Sequence, residues 1–122
     1  MEGKKVWFIP DCELPDEGEG ILKGHESVIV LNTNKTTANI NVILYFTNQN
    51  KYDTINWVVE GERVKCFRMN NLQDMFGYEV VKNTQYAMKI TSDVPVVIQY
   101  GRLDNRQTNL AYYNSRFYKI II

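Results

Sequence analysis

Between residues 38 and 46, Ala38, Ile40, Val42, Leu44 and Phe46 fall on every second position, with Asn39, Asn41 and Tyr45 on the positions between. A period of two puts these apolar groups on one face of a β-strand, whereas a helix would scatter them around its circumference. Composition extends this reading to the whole chain. Val, Ile, Thr, Tyr, Phe and Trp account for 46 of the 122 residues, while Ala occurs three times and Leu seven. β-Branched and aromatic side chains suit a pleated surface, and the strong helix formers Ala and Leu are scarce. With 23% charged and 44% hydrophobic residues, the chain is neither a disordered tail nor a low-complexity linker. Its 122 residues make one domain, 1–122, large enough to bury about two-thirds of its unfolded surface without a disulfide.

Turn residues divide the chain into short strands. The first is expected at Lys4–Ile9, ended by Pro10, with a loop over residues 10–24 marked by Pro10, Pro15, Gly18, Gly20 and Gly24. Ser27–Thr33 is apolar on both faces, so a central or doubly covered strand is expected there. Asn34-Lys35-Thr36-Thr37 reads as a hairpin turn into the alternating strand. Thr54–Glu60 follows, with Glu60-Gly61-Glu62 as a tight reversal into Arg63–Met69. Asn70–Phe76 suggests a short helical turn. Gln85–Thr91 and Val94–Leu103 read as two strands flanking Ser92-Asp93, with Pro95 opening the second, where a missing donor matters least. Asn109–Ile122 fits a helix loosely, and its Tyr- and Ile-rich ending favours a strand. Seven to eight short antiparallel strands predict an all-β, jelly-roll-like β-sandwich.

The balance of 14 basic and 14 acidic residues argues against nucleic-acid binding, which needs a net positive face. It conceals a split: residues 1–60 carry five basic and nine acidic residues, and residues 61–122 carry nine and five. Such halves attract one another within the domain or between subunits. Cys12 and Cys66 form neither a disulfide framework nor a zinc spacing. Cys66 reads as a small buried thiol, and Cys12 lies among acidic residues that disfavour a thiolate. The apolar run Val6–Ile9 is too short for a signal peptide, and no stretch approaches the length of a membrane span. A cytoplasmic protein is expected, in which the Asn34-Lys35-Thr36 sequon has no role.

The densest polar signal is Gln99-Tyr100-Gly101-Arg102-Leu103-Asp104-Asn105-Arg106-Gln107. At strand period, Tyr100, Arg102, Asp104 and Arg106 share the face of Val94, Val96 and Ile98. The strand is therefore expected to leave the core near Gly101, setting Arg102, Asp104 and Arg106 along the rim. Arginine grips carboxylate or phosphate in bidentate fashion, so the cluster reads as a polar-ligand site or as an ion network fixing a corner or subunit contact. His25-Glu26 precedes the central strand Ser27–Thr33 and holds the single histidine. That excludes a multi-histidine metal site and leaves a mixed His/carboxylate site open, although no metal or cofactor is expected. Asn32 ends the same strand, where a buried Asn is a turn-maker. The aromatics, Trp7, Trp57 and the tyrosines, serve either as core and cross-strand pairs or as a stacking platform for a sugar. No Gly-rich phosphate loop, serine elbow or CxxC pair is present.

Trp7, His25-Glu26-Ser27-Val28-Ile29-Val30-Leu31-Asn32, Arg68-Met69-Asn70-Asn71-Leu72 and the block from Asp93 to Gln107 resemble, in order, the sensory rhodopsin transducer family. The resemblance runs over about residues 5–118. It implies a small antiparallel β-sandwich that assembles as a compact oligomer, often a tetramer. It also implies a fold similar to carbohydrate-binding jelly rolls, for which sugar or DNA binding has been suggested. The positions matching its motifs are His25, Glu26, Asn32, Gln99, Arg102, Asp104, Arg106 and Gln107. Tyr100-Gly101 stands where a His-Thr-like pair is expected, and the ending Lys119-Ile120-Ile121-Ile122 is apolar in place of a polar tail, which argues against a membrane photoreceptor as partner. The expectation is a non-enzymatic, homo-oligomeric binding or signalling module for a small polar or sugar-like ligand or a protein partner. Two alternatives stand beside it: an enzyme on a sugar-like substrate with His25 or Glu26 as acid/base, and a weak DNA-binding regulator.

Overall fold

The structure is a computed structural model that describes residues 2–18, 21, 23–103 and 115–118. The described elements are β1 (Lys4–Glu13), β2 (His25–Asn32), β3 (Ala38–Phe46), β4 (Tyr52–Val59), β5 (Arg63–Arg68), β6 (Gln85–Leu103) and β7 (Ser115–Tyr118). Every pairing is antiparallel, so the all-β expectation holds. Among the described residues no helix is long and apolar enough to cross a membrane.

The fold turns on β6. Its first half pairs with β3 from Tyr86 to Ser92 and with β1 from Gln85 to Val96; its second half pairs with β2 from Val97 to Leu103 and with β7 from Tyr100 to Leu103. One strand therefore belongs to two leaves, β1-β6-β3-β4 and β7-β6-β2-β5, of a single sheet curled on itself. The inner faces meet in one core. Val42, Leu44, Ile55, Ile90, Val28 and Val30 are all fully buried, each contributing about 1.5–3 kcal/mol relative to exposure. Trp57 of β4 stacks on Phe67 of β5 with centroids 4.0 Å apart and planes 2° from parallel, closing one leaf against the other.

Several sequence expectations are corrected here. Gln85–Thr91 and Val94–Leu103 are one continuous strand, because the residues around Pro95 keep partners on both leaves: Val96 still pairs with Lys4 of β1, and Val97 already pairs with Leu31 of β2. β1 passes through Pro10 to Glu13, with a register shift between Ile9 and Cys12 that tolerates a residue lacking an N–H. The strand does not leave the core at Gly101: pairing with β2 continues in register to Leu103, and Arg102 remains buried.

The turns at residues 33–37 and 60–62 are not hairpins. β2 pairs with β5 and β6, whereas β3 pairs with β4 and β6, so both turns are corners that carry the chain from one leaf to the other. Gly61 makes their close approach possible, since a Cβ there would lie 2.1 Å from the Lys35 carbonyl oxygen. Residues 71–78 form successive hydrogen-bonded turns, including Met75 N–H to the Asn71 carbonyl at 3.0 Å, without becoming a helix. Cys66 is exposed on β5 and not buried.

Candidate functional site

Glu26 enters at the start of β2. Alternation along the strand puts Glu26, Val28, Val30 and Asn32 on its buried side, so a carboxylate is carried into the core with no solvent exposure. A charge in that position requires polar partners. Three groups donate to it. The Tyr86 hydroxyl donates to Oε1, the Tyr100 hydroxyl donates to Oε2, and the Glu13 backbone N–H donates to Oε2 at 2.9 Å. Arg102 stands directly opposite Glu26 in the β2–β6 register, and its Nη1 lies 4.0 Å from Glu13 Oε1. The cluster thus joins the end of β1, the start of β2 and both halves of β6.

Glu26, Tyr86, Tyr100 and Cys12 titrate away from their ordinary values. Burial pushes the Glu26 carboxyl above its ordinary value, opposed by the Tyr100, Tyr86 and Glu13 hydrogen bonds and by the Arg102 charge. Burial and then the Glu26 charge push both phenols upward. The Cys12 thiol, also buried, is raised well above the ordinary thiol range by desolvation first and Glu26 second. A thiol held protonated is a poor nucleophile. Among the described residues, no group of three or more His, Cys, Asp or Glu is placed to hold a metal ion.

The structure brings together only part of the sequence-derived site. Glu26 and Arg102 meet. His25 is half-buried on the opposite face of β2, with Nδ1 2.9 Å from the Lys23 carbonyl oxygen. Gln99 faces the same outer side, opposite Ile29. Asn32 ends β2 six residues beyond Glu26, roughly 20 Å away at about 3.3 Å per residue. Its Nδ2 donates to the carbonyls of Thr36, Val59 and Glu60 at 2.9, 3.1 and 3.2 Å, and its Oδ1 accepts from Asn34 N–H and Nδ2 at 3.0 and 2.8 Å. Asn32 is therefore the turn-maker that ties the two corners together. Asp104, Arg106 and Gln107 lie outside the described residues.

Cys12, Glu13 and Tyr86 join the cluster although the sequence analysis placed none of them in the candidate site. For Tyr86 a signal exists, because Tyr86, Met88 and Ile90 alternate onto one buried face. None exists for Cys12 and Glu13, whose facing depends on the register shift after Ile9. The two tryptophans belong to the core, Trp7 donating to the Val96 carbonyl at 3.1 Å and Trp57 to that of Asp74 at 2.6 Å.

A model of the Anabaena sensory rhodopsin transducer family matches residues 2–119. The chain belongs to the Anabaena sensory rhodopsin transducer family. Its fold is similar to the crystal structure of Thermotoga maritima 1070, with a TM-score of 0.79 and 26% identity over 98% of this chain and 94% of that one. It is also similar to the Anabaena sensory rhodopsin transducer itself, with a TM-score of 0.72 and 30% identity over 88% of this chain and 94% of that one. No curated protein matches it. In this member of the transducer family, the Tyr100 phenol holds the Glu26 carboxylate.

Proposed function

We propose that this transducer-family chain is a non-enzymatic signalling module that acts by docking a protein partner, and that it does so as a homo-oligomer, a tetramer on the family's pattern. One observation carries the reading. The motif residues Glu26 and Arg102, which sequence analysis offered as a ligand grip, are buried, and the Glu26 carboxylate oxygens are already engaged by Tyr86, Tyr100 and the Glu13 N–H. A small anion entering there would have to displace internal hydrogen bonds that were formed on folding. His25 and Glu26 face opposite sides of β2, which removes the shared pocket that acid/base catalysis on a sugar requires. The name of the Anabaena relative links that protein to a sensory rhodopsin, and a signalling receptor is the corresponding class of partner here.

The test is a thermal-shift panel of sugars, sugar phosphates and small carboxylates. The expected result is an unchanged unfolding midpoint throughout. A ligand supplied at a hundred times its dissociation constant would add about 2.7 kcal/mol of stability. Such a gain, absent from an Arg102→Ala protein, would replace this reading with that of a small-ligand receptor.

A further inference from the structure

β5 is an edge strand. β2 bonds one side of it, and among the described residues no strand pairs with the other. Two hydrogen bonds reveal which backbone groups point outward. Met69 N–H donates to the Glu26 carbonyl at 3.0 Å, toward β2, whereas Arg68 N–H donates to Asp74 Oδ2 at 2.9 Å, on the free side. In an antiparallel ladder the N–H and C=O of one residue share a side, and the side reverses at the next residue. Val64, Cys66 and Arg68 therefore present their backbone groups to the free edge.

The last of the three is capped, since Asp74 accepts its N–H and Asn71 N–H donates to its carbonyl at 3.1 Å. The outward groups of Val64 and Cys66 have no partner among the described residues. Both residues are exposed, Val64 at 63%.

Charge selects what can pair there. β5 carries Arg63, Lys65 and Arg68 and no acidic residue; Glu62 precedes it in the turn, and Asp74 is occupied by the Arg68 N–H. A second copy of β5 laid on this edge would set cation against cation, the arrangement by which sheet edges resist self-pairing. An acidic strand meets the opposite condition. Asp74 already seats a carboxylate oxygen on a backbone N–H of this same edge.

We propose that the free edge of β5 at Val64–Cys66 receives an extended, acidic segment of a partner protein by strand addition, its carboxylates read by Arg63 and Lys65 on one face of the sheet and by Arg68 on the other. The assignment rests on the partner-docking reading above and gives that partner its chemistry. Main-chain bonds to Val64 and Cys66 supply affinity, and the three cations supply the sign of the side chains accepted.

A fluorescein-labelled peptide of alternating Glu and Val tests this by fluorescence anisotropy with the full chain. It should bind at least about tenfold more tightly than the corresponding Lys/Val peptide and weaken as salt rises. Val64→Pro deletes an N–H that no described group uses; binding should fall about tenfold while the thermal midpoint stays in place. If that variant does not fold, peptides N-methylated at one or the other alternate set of residues answer the same question, since only the set facing β5 should abolish binding. Equal affinity for the acidic and basic peptides, or indifference to both N-methylated sets, overturns the assignment. So does tighter binding of a short single-stranded DNA that Val64→Pro leaves unchanged. The small-molecule panel judges the partner-docking reading separately, so peptide indifference removes only the β5 edge.

Discussion

Glu26 shows how one residue acquires its character from its surroundings. Its side chain is buried because β2 alternates, and it is held because Tyr86, Tyr100 and the Glu13 N–H converge on it. Tyr100→Phe removes one donor and leaves a carboxylate oxygen with less compensation. Denaturant unfolding at neutral pH should show a loss of about 1–3 kcal/mol. A pH dependence follows from the same site. The folded-state pKa of Glu26 is raised above the ordinary carboxylate value, so the folded state binds its proton more tightly than the unfolded chain does. The stability linked to that proton is fully present below the unfolded pKa and is lost as pH rises through the folded one. Relative to Glu26→Gln, which does not titrate, the wild-type protein should therefore gain stability as pH falls through that window. A difference between the two that stays flat from neutral to acidic pH would contradict the assignment.

At the scale of elements, the corners explain why the strands were easier to read than their connections. Ala38–Phe46 declares itself through its own alternation and forms as expected. Whether the turn before it is a hairpin or a corner depends on which strands lie beside β6, and no local pattern records that. Asn34-Lys35-Thr36-Thr37 is compatible with both. The corners are instead held by Asn32, through bonds to Thr36, Val59 and Glu60, and by the absence of a side chain at Gly61. Asn32→Ala leaves carbonyls of both corners without a donor and should cost about 2–4 kcal/mol. Gly61→Ala drives a Cβ into the Lys35 carbonyl and should cost about 1–3 kcal/mol. Both losses are read by chemical unfolding, and a neutral result for both variants would mean that the corners do not depend on this contact. β6 teaches a related lesson. Pro95 and Ser92-Asp93 look like a boundary between strands, yet Pro95 sits where the strand hands over from one leaf to the other, and its carbonyl accepts Asn34 Nδ2 at 2.7 Å.

For the whole molecule, the opposite charges of the two halves of the sequence meet in at least one place, where Arg102 of the basic half faces Glu13 of the acidic half. The proposed homo-oligomer has a consequence at this scale: if subunits bind only when folded, the thermal midpoint should rise with protein concentration. A midpoint independent of concentration, with sedimentation as a monomer at micromolar concentration, would count against assembly. By itself the sequence determined the all-β class, most strand positions and the family. These follow from period-two side-chain alternation and from contiguous motifs, which are local properties. Only the tertiary structure decided that β6 serves two leaves, that Asn32 belongs to the corners, and that Glu26 and Arg102 face inward. Those outcomes depend on the register between strands far apart in the chain, and register is set by how whole faces pack rather than by any one segment.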